Sequence, residues 1–164
     1  MAAATDARIY AEDTKVPVLR SREEIAGLLR AWRCDAIQWS DDYAEGTMQL
    51  RFRWAHEGVS YTARMGIKVP TAAEVRRTMA KDRAGKPPTD RQVVDAHCQA
   101  ERAAHRLLAL KLKADLNCVR AGLFSVIDVL LPHIERADGQ TVAEVAAPLL
   151  AAHLTGRMRP LLPG

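Results

Sequence analysis

Apolar and polar positions change their spacing along the chain, from helical to alternating and back to helical. The first group recurs at the spacing of one helix face and comprises Ile25, Leu28, Leu29 and Trp32. Ser21 and Glu24 just before it have the spacing of a capping box, in which each side chain accepts a hydrogen bond from a free backbone N–H group of the other residue. The pattern therefore predicts a first helix over residues 22–33.

The next segment alternates with a period of two, which is typical of strands with one buried face. It predicts strands over residues 36–39, 47–54 and 59–66, with Gly58 in the hairpin turn between the last two. The apolar positions expected to face the core are Met48, Leu50, Phe52, Trp54, Val59, Tyr61 and Met65. We therefore expect a three-stranded antiparallel meander with one apolar and one polar face.

The remainder of the chain returns to helical spacing. Four residues have the position and chemistry of a helix N-cap: Thr71, Thr89, Ser125 and Thr141. They predict a short helix to about residue 82, a long helix over 89–120, a helix to about residue 135 and a last helix that contains Pro148. Gly122 is expected to end the long helix as a C-terminal cap.

The long helix is predicted to form the centre of the helical half. It would be about 45 Å long at 1.5 Å per residue. Leucines occupy most of its circumference, namely Leu107, Leu108, Leu110, Leu112 and Leu116. A helix that is apolar on so many sides is usually buried on several of them, either by neighbouring helices or by a second copy of the chain.

Together these elements predict an α+β fold: an N-terminal helix, a three-stranded antiparallel meander, then a helical half built round one long helix. The length fits one domain over residues 16–164, preceded by a flexible N-terminal arm over residues 1–15. The domain is predicted to comprise the helix plus meander (16–70), a short helix and mobile loop (71–88), the helical half (89–155) and a tail (156–164).

Composition narrows the class of protein. Apolar residues make up 48% of the chain and charged residues 27%, which excludes collagen-like, disulfide-rich and wholly disordered classes. The three cysteines, Cys34, Cys98 and Cys118, are odd in number and far apart, as expected in a reducing compartment. The first residues lack the features of a signal peptide, and charged residues interrupt every apolar run. We therefore expect a cytoplasmic protein that does not bind a membrane.

Positive charge is concentrated in the middle of the chain. Residues 51–120 contain 15 basic and 7 acidic residues, whereas both flanking segments are net acidic. A segregated basic zone favours a polyanionic partner, most often nucleic acid, although a solvated Arg-rich surface explains it equally well. The candidate nucleic-acid-binding residues are Arg51, Arg53 and Arg64 on the polar hairpin face and Arg102, Arg106 and Lys113 on a stripe of the long helix, with Arg83 and Lys86 in the mobile basic loop.

Catalytic and metal chemistry have weaker support. The potential metal ligands on the long helix are His97, Cys98, His105 and Cys118, but about 30 Å of helix separates the two cysteines and no acidic residue or CxxC pair completes a set. A group of His56, Cys34 and Asp41 or Asp42 lacks any local motif of nucleophilic catalysis. We therefore predict no catalytic residue, no metal and no cofactor, and leave open whether the chain is an enzyme.

Several segments resemble a family of small uncharacterised proteins encoded in bacteriophages and prophages. The similar pieces are residues 16–25, the hairpin over 52–65, the sequence LLALKLKADLNCVRAG at 107–122, residues 137–142 and the ending at 156–164, which together cover most of the chain. The resemblance implies a phage context and a role in phage DNA metabolism or in countering host defence. It implies no catalytic or binding residue.

Two function hypotheses follow. The first is a non-enzymatic nucleic-acid-binding accessory protein of phage origin that binds mainly through backbone electrostatics. The alternative is a protein-interaction module, a homo-oligomer or an inhibitor of a host defence complex, that uses the long helix and the C-terminal tail. A small hydrolase centred on His56 is a weaker third idea.

Overall fold

The computed structural model describes residues 11–79 and 85–155. Its elements are α1 (Val18–Ala31), β1 (Ala36–Asp42), β2 (Thr47–His56), β3 (Val59–Lys68), α2 (Ala72–Thr78), α3 (Asp90–Arg120), α4 (Val126–Leu130), a 3₁₀ turn (Leu131–His133) and α5 (Val142–Leu154). This order confirms the predicted α+β fold. The first ten residues of the predicted arm, part of the predicted loop including Arg83, and the predicted tail lie outside the described residues.

Helix α1 begins one turn earlier than predicted. Pro17 is its N-cap, and no side chain caps the helix. The backbone N–H of Ser21 donates to the Pro17 carbonyl at 3.2 Å, so Ser21 lies inside the helix, where it is fully buried. The predicted Ser21–Glu24 capping box is therefore wrong, because the fixed φ of Pro17 already starts the helical turn upstream of it.

The three strands form one antiparallel sheet in the order β1-β2-β3. Strand β1 pairs with β2 over its whole length, from Ala36 opposite Arg53 to Asp42 opposite Thr47, so it is longer than predicted. The β2–β3 hairpin turns at Glu57 and Gly58, with φ of 51° and 78°. Two consecutive positive φ angles are typical of a type I′ turn, which matches the twist of the paired strands.

The long helix α3 has the predicted bounds. Thr89 and Gln92 form a complete capping box at its start. Ala121 is the C-cap of the helix, and Gly122 follows it with φ of 72°, which confirms that the glycine ends the helix as predicted. Its 31 residues span about 46 Å.

Helix α4 is shorter than predicted. It begins at the expected Ser125 capping box but ends at Leu130. Pro132 has no N–H group to continue the helix, and the chain tightens into the 3₁₀ turn. The chain then joins the outer edge of β3, where the N–H of Glu135 donates to the Thr62 carbonyl at 2.8 Å.

The hydrophobic core lies between the sheet and the helices α1, α3 and α4. It includes Ile25, Leu29, Leu50, Phe52, Trp54, Ala63, Met65, Leu108, Ala109, Leu112, Val126 and Leu130. The apolar face of the meander therefore packs on the long helix, as predicted. Val59 is the exception, since it is 50% exposed at the hairpin end of the sheet.

Candidate nucleic-acid interface

The three candidate arginines of the sheet share its outer face. Arg51 of β2 lies directly opposite Arg64 of β3, and Arg53 follows two residues along β2. Alternation along β2 turns Leu50 and Phe52 into the core and the arginines away from it. The three arginines that the sequence assigns to the polar hairpin face therefore lie together on the side of the sheet that faces away from the core.

A carboxylate binds each of these arginines. Arg51 donates from Nε and Nη2 to one oxygen of Glu135, at 3.0 and 2.7 Å. Arg53 donates from Nε to both oxygens of Asp35, and Arg64 donates from Nη2 to Glu144 at 2.6 Å. The local charge of the three pairs is therefore balanced. Charge counting in the sequence could not detect this balance, because Glu135 and Glu144 are more than 75 residues away in sequence from the arginines they bind.

The pairing also affects the acids. The hydrogen bond from Arg53 lowers the pKa of Asp35, and the backbone N–H of Thr141 together with Arg64 lowers the pKa of Glu144. Glu144 therefore has two roles: it completes the capping box of α5, and it accepts a hydrogen bond from Arg64 of the sheet. Glu135 is only 14% exposed, whereas 42% of the Arg51 side chain and 50% of the Arg53 side chain remain open to solvent.

A shallow depression of about 210 Å³ lies across β1 and β2 on this side of the sheet. Its polar lining consists of Gln38, Arg51, Arg53 and Thr62. Uncharged hydrogen-bonding groups therefore lie beside two exposed guanidinium groups. The aromatic rings of β2 are not part of this face, since Phe52 and Trp54 are 2% and 6% exposed in the core, as predicted.

The candidate cations of the long helix lie on a different surface. Helix α1 packs beside α3. Glu24 of α1 forms ion pairs with two cations of α3, with Nη1 of Arg106 and with Nζ of Lys113 at 3.6 Å. The hydrophobic core separates these helices from the outer face of the sheet. The two basic stripes therefore do not form one continuous surface.

Arg102 differs from the other five candidates. Its Nε and Nη2 donate to the amide oxygen of Gln99, at 3.2 and 2.6 Å. Within the described parts of the chain no carboxylate pairs with it. Of the two basic residues assigned to the predicted loop, Arg83 lies outside the described residues and Lys86 is exposed.

Sequence reasoning missed a polar network inside the protein. Arg22 donates from Nη2 to both oxygens of Asp41, at 2.7 and 2.8 Å, and from Nε to Nε2 of His105 at 3.0 Å. Its guanidinium carbon also lies 4.5 Å from the ring centre of Trp39. Burial lowers the pKa of His105 first, and the charge of Arg22 lowers it further. The network joins α1, β1 and α3 and has no local motif by which it could have been found.

The residues considered for metal binding and catalysis do not assemble. His97 binds the Pro70 carbonyl and His105 binds Arg22, and among the described residues no three His, Cys, Asp or Glu side chains are placed to hold one metal ion. Asp41 lies opposite Met48, eight residues before His56 on β2, which corresponds to about 27 Å. Burial raises the pKa of the Cys34 thiol to about 11, which disfavours the nucleophilic thiolate.

Helix α5 is an exposed apolar element. None of its residues is buried, and it continues to Leu154 with Pro148 inside it. Leu149, Leu150 and Leu154 are 54%, 52% and 82% exposed. Across the part of the chain that the structure describes, no helix is both long enough and apolar enough to cross a membrane.

Comparison with known proteins gives no relative: no protein-family model, no curated protein and no solved structure matches the chain.

Proposed function

We propose that the protein is a non-enzymatic nucleic-acid-binding accessory protein of phage origin and that it contacts the phosphate backbone through the outer face of its sheet. The observation that supports this proposal is the set of three arginines on one face of neighbouring strands, of which Arg51 and Arg53 are 42% and 50% exposed and Arg64 is 21% exposed. Guanidinium groups bind phosphate with the same two-pronged geometry that they use for carboxylates.

Binding would proceed by exchange of partners. A phosphate oxygen would take the place of a carboxylate oxygen of Asp35, Glu135 or Glu144, while the arginine keeps its position on the strand. Because the face is charge-balanced before binding, its long-range attraction for a polyanion is small. We expect modest affinity that depends on close contact.

Sequence preference should be low. Base stacking needs exposed aromatic rings, and those of β2 are in the core. Contacts to phosphate carry no direct sequence information. The uncharged groups beside the arginines, Gln38 and Thr62, are placed to contact sugars or phosphates rather than to read bases.

The test is fluorescence-anisotropy binding to single- and double-stranded DNA and RNA over a salt series. Three phosphate contacts predict a slope of log K against log salt of about −2 for a single strand and about −3 for a duplex. The double variant Arg51→Glu, Arg53→Glu should weaken binding to all sequences alike, whereas Arg20→Glu, Arg30→Glu, which makes the same change in net charge on the exposed side of α1, should weaken it much less. Equal loss in both variants, or no binding of the wild type at low salt, contradicts the proposal.

Helix α5 favours a second candidate function, self-association. Its exposed leucines form an apolar surface of the kind that usually marks an interaction site. Residues 145–155 contain no Asp, Glu, Lys or Arg, so this surface suits an uncharged partner, and the same surface of a second copy is such a partner.

Light scattering over a concentration series tests this candidate. The double variant Leu149→Ser, Leu150→Ser should shift the protein to the monomer, whereas Leu19→Ser, an equally exposed leucine of α1, should not. A wild type that is monomeric at all concentrations contradicts self-association through α5.

A further inference from the structure

A cleft of about 390 Å³ lies between the chain that leads into α1 and the N-terminal half of α3. Its charged lining residues are Lys15, Glu101 and Arg102, and Pro17, Val18 and Cys98 supply an apolar part. The cleft is on the helical side of the molecule, so it is separate from the sheet face described above. Two cations and one carboxylate give it a net positive charge.

The two cations are uncompensated. Neither Lys15 nor Arg102 forms an ion pair with an Asp or Glu of the described residues, unlike the arginines of the sheet face and unlike Arg106 on the next turn of α3. A guanidinium held by a carboxylate is already neutralised. Arg102 keeps its full charge for a partner.

Arg102 is nevertheless held in place. Gln99 accepts two hydrogen bonds from its guanidinium, while the Gln99 amide nitrogen donates to the carbonyls of Glu12 and Thr14 at 2.8 and 3.0 Å. One neutral side chain thus fixes both walls of the cleft, the chain before α1 and the arginine on α3. Among the described residues, the guanidinium of Arg102 donates to no acceptor other than Gln99, and preorganisation of this kind reduces the cost of ordering a binding group.

We propose that this cleft binds a small phosphomonoester. Lys15 and Arg102 would hold the phosphate group, because a lysine and an arginine together supply the charge and the donors that phosphate requires. Glu101 on the same wall would accept a hydrogen bond from a hydroxyl group of the ligand, and Pro17 and Val18 would contact its carbon chain.

Isothermal titration calorimetry with the full chain tests the proposal, using glycerol phosphate as the probe, inorganic phosphate to isolate the anionic group, and glycerol as the neutral control. We expect saturable binding of glycerol phosphate with a Kd of about 1 mM or below, weaker binding of phosphate and none of glycerol. Arg102→Gln and Lys15→Gln should each weaken binding at least tenfold, about 1.4 kcal/mol. Arg30→Gln removes an exposed cation outside the cleft and should change nothing.

Two results would overturn the proposal: no saturable heat for the wild type, or the same loss in Arg30→Gln as in Arg102→Gln. Arg102→Lys separates geometry from charge, since it keeps the charge and loses the hydrogen bonds to Gln99. It should bind more weakly than the wild type and more tightly than Arg102→Gln. The double variant Arg51→Glu, Arg53→Glu should bind glycerol phosphate like the wild type, and a loss there would instead place the probe on the sheet.

Discussion

The Nε2 atom of His105 accepts a hydrogen bond from Nε of Arg22 at 3.0 Å, although both side chains can carry a positive charge. An accepting nitrogen must be unprotonated, so His105 is neutral and its proton is on Nδ1, which donates to the Glu101 carbonyl at 2.9 Å. Asp41 balances the charge of Arg22 on the other side. The contact between α1 and α3 therefore requires that His105 is neutral.

This requirement predicts a loss of stability in acid. The folded-state pKa of His105 is lowered by burial and then by Arg22, so below the unfolded-state pKa near 6.5 the unfolded chain binds a proton that the folded chain rejects. The free energy of unfolding should be at its full value above this pH and fall as the pH decreases. Each such histidine contributes a slope of at most about 1.4 kcal/mol per pH unit.

Urea unfolding between pH 7.5 and 5 measures the slope. His105→Gln should reduce the dependence of the unfolding free energy on pH. Burial also lowers the pKa of His133, so His133→Gln should reduce the same dependence independently. A slope that His105→Gln leaves unchanged would contradict the neutral-histidine assignment.

Removal of one competing carboxylate should strengthen nucleic-acid binding. In Glu135→Gln the amide oxygen can still accept from Arg51, but the charge that balances the guanidinium is lost. We expect severalfold tighter binding at low salt and a salt slope larger by about one phosphate equivalent. Glu23→Gln, on the exposed part of α1, changes the net charge equally and is the matched control. Equal gains in the two variants would show that only net charge matters.

Among the glycines that the structure describes, Gly46 should be the least tolerant of substitution. Its φ is +62°, and a Cβ atom there would lie 2.3 Å from the Val69 carbonyl oxygen. Gly46→Ala therefore combines backbone strain with a clash against the main chain, and we expect it to lower the free energy of unfolding by more than about 2 kcal/mol. Gly27→Ala, in the open middle of α1, should raise it by about 0.5–1 kcal/mol. Chemical denaturation of both variants checks that the free energy of unfolding decreases in Gly46→Ala and increases in Gly27→Ala.

Cys34 should react slowly with alkylating reagents. With the pKa raised to about 11 by burial and by the adjacent Asp35, about one molecule in a thousand carries the thiolate at pH 8. Mass spectrometry of the Cys34 peptide after iodoacetamide treatment, with a urea-unfolded sample as reference, measures this protection. Reaction at the unfolded rate would show that the thiol is open.

Local sequence signals predicted most of the fold. The capping boxes at Thr71, Thr89, Ser125 and Thr141 are all complete in the structure, because each depends on two residues three positions apart. The same rule failed at Ser21, where Pro17 starts the helix earlier and the serine is needed inside the packed α1. The residue at which a helix begins or ends therefore depends also on residues outside the capping motif, such as Pro17 here.

The candidate site was less predictable for a related reason. The residues of one strand face can be read from alternation, so Arg51, Arg53 and Arg64 were correctly placed together. The partners of Arg51 and Arg64 come from segments 84 and 80 residues along the chain. Glu24, which pairs with Arg106 and Lys113, is likewise far from them in sequence. Which cations are neutralised, and whether two basic stripes meet, is decided by tertiary packing.

The joining of α1 to α3 has a consequence for how the chain folds as it is synthesised. The three strands of the meander pair with one another over short sequence separations, which favours their early formation during synthesis. Arg22 and His105 are 83 residues apart, so at 5–20 residues per second α1 waits roughly 4–17 s for its partner helix. During that interval Ile25 and Leu29 have no α3 to cover them. The apolar face of the first helix therefore cannot be fully buried until α3 has been synthesised.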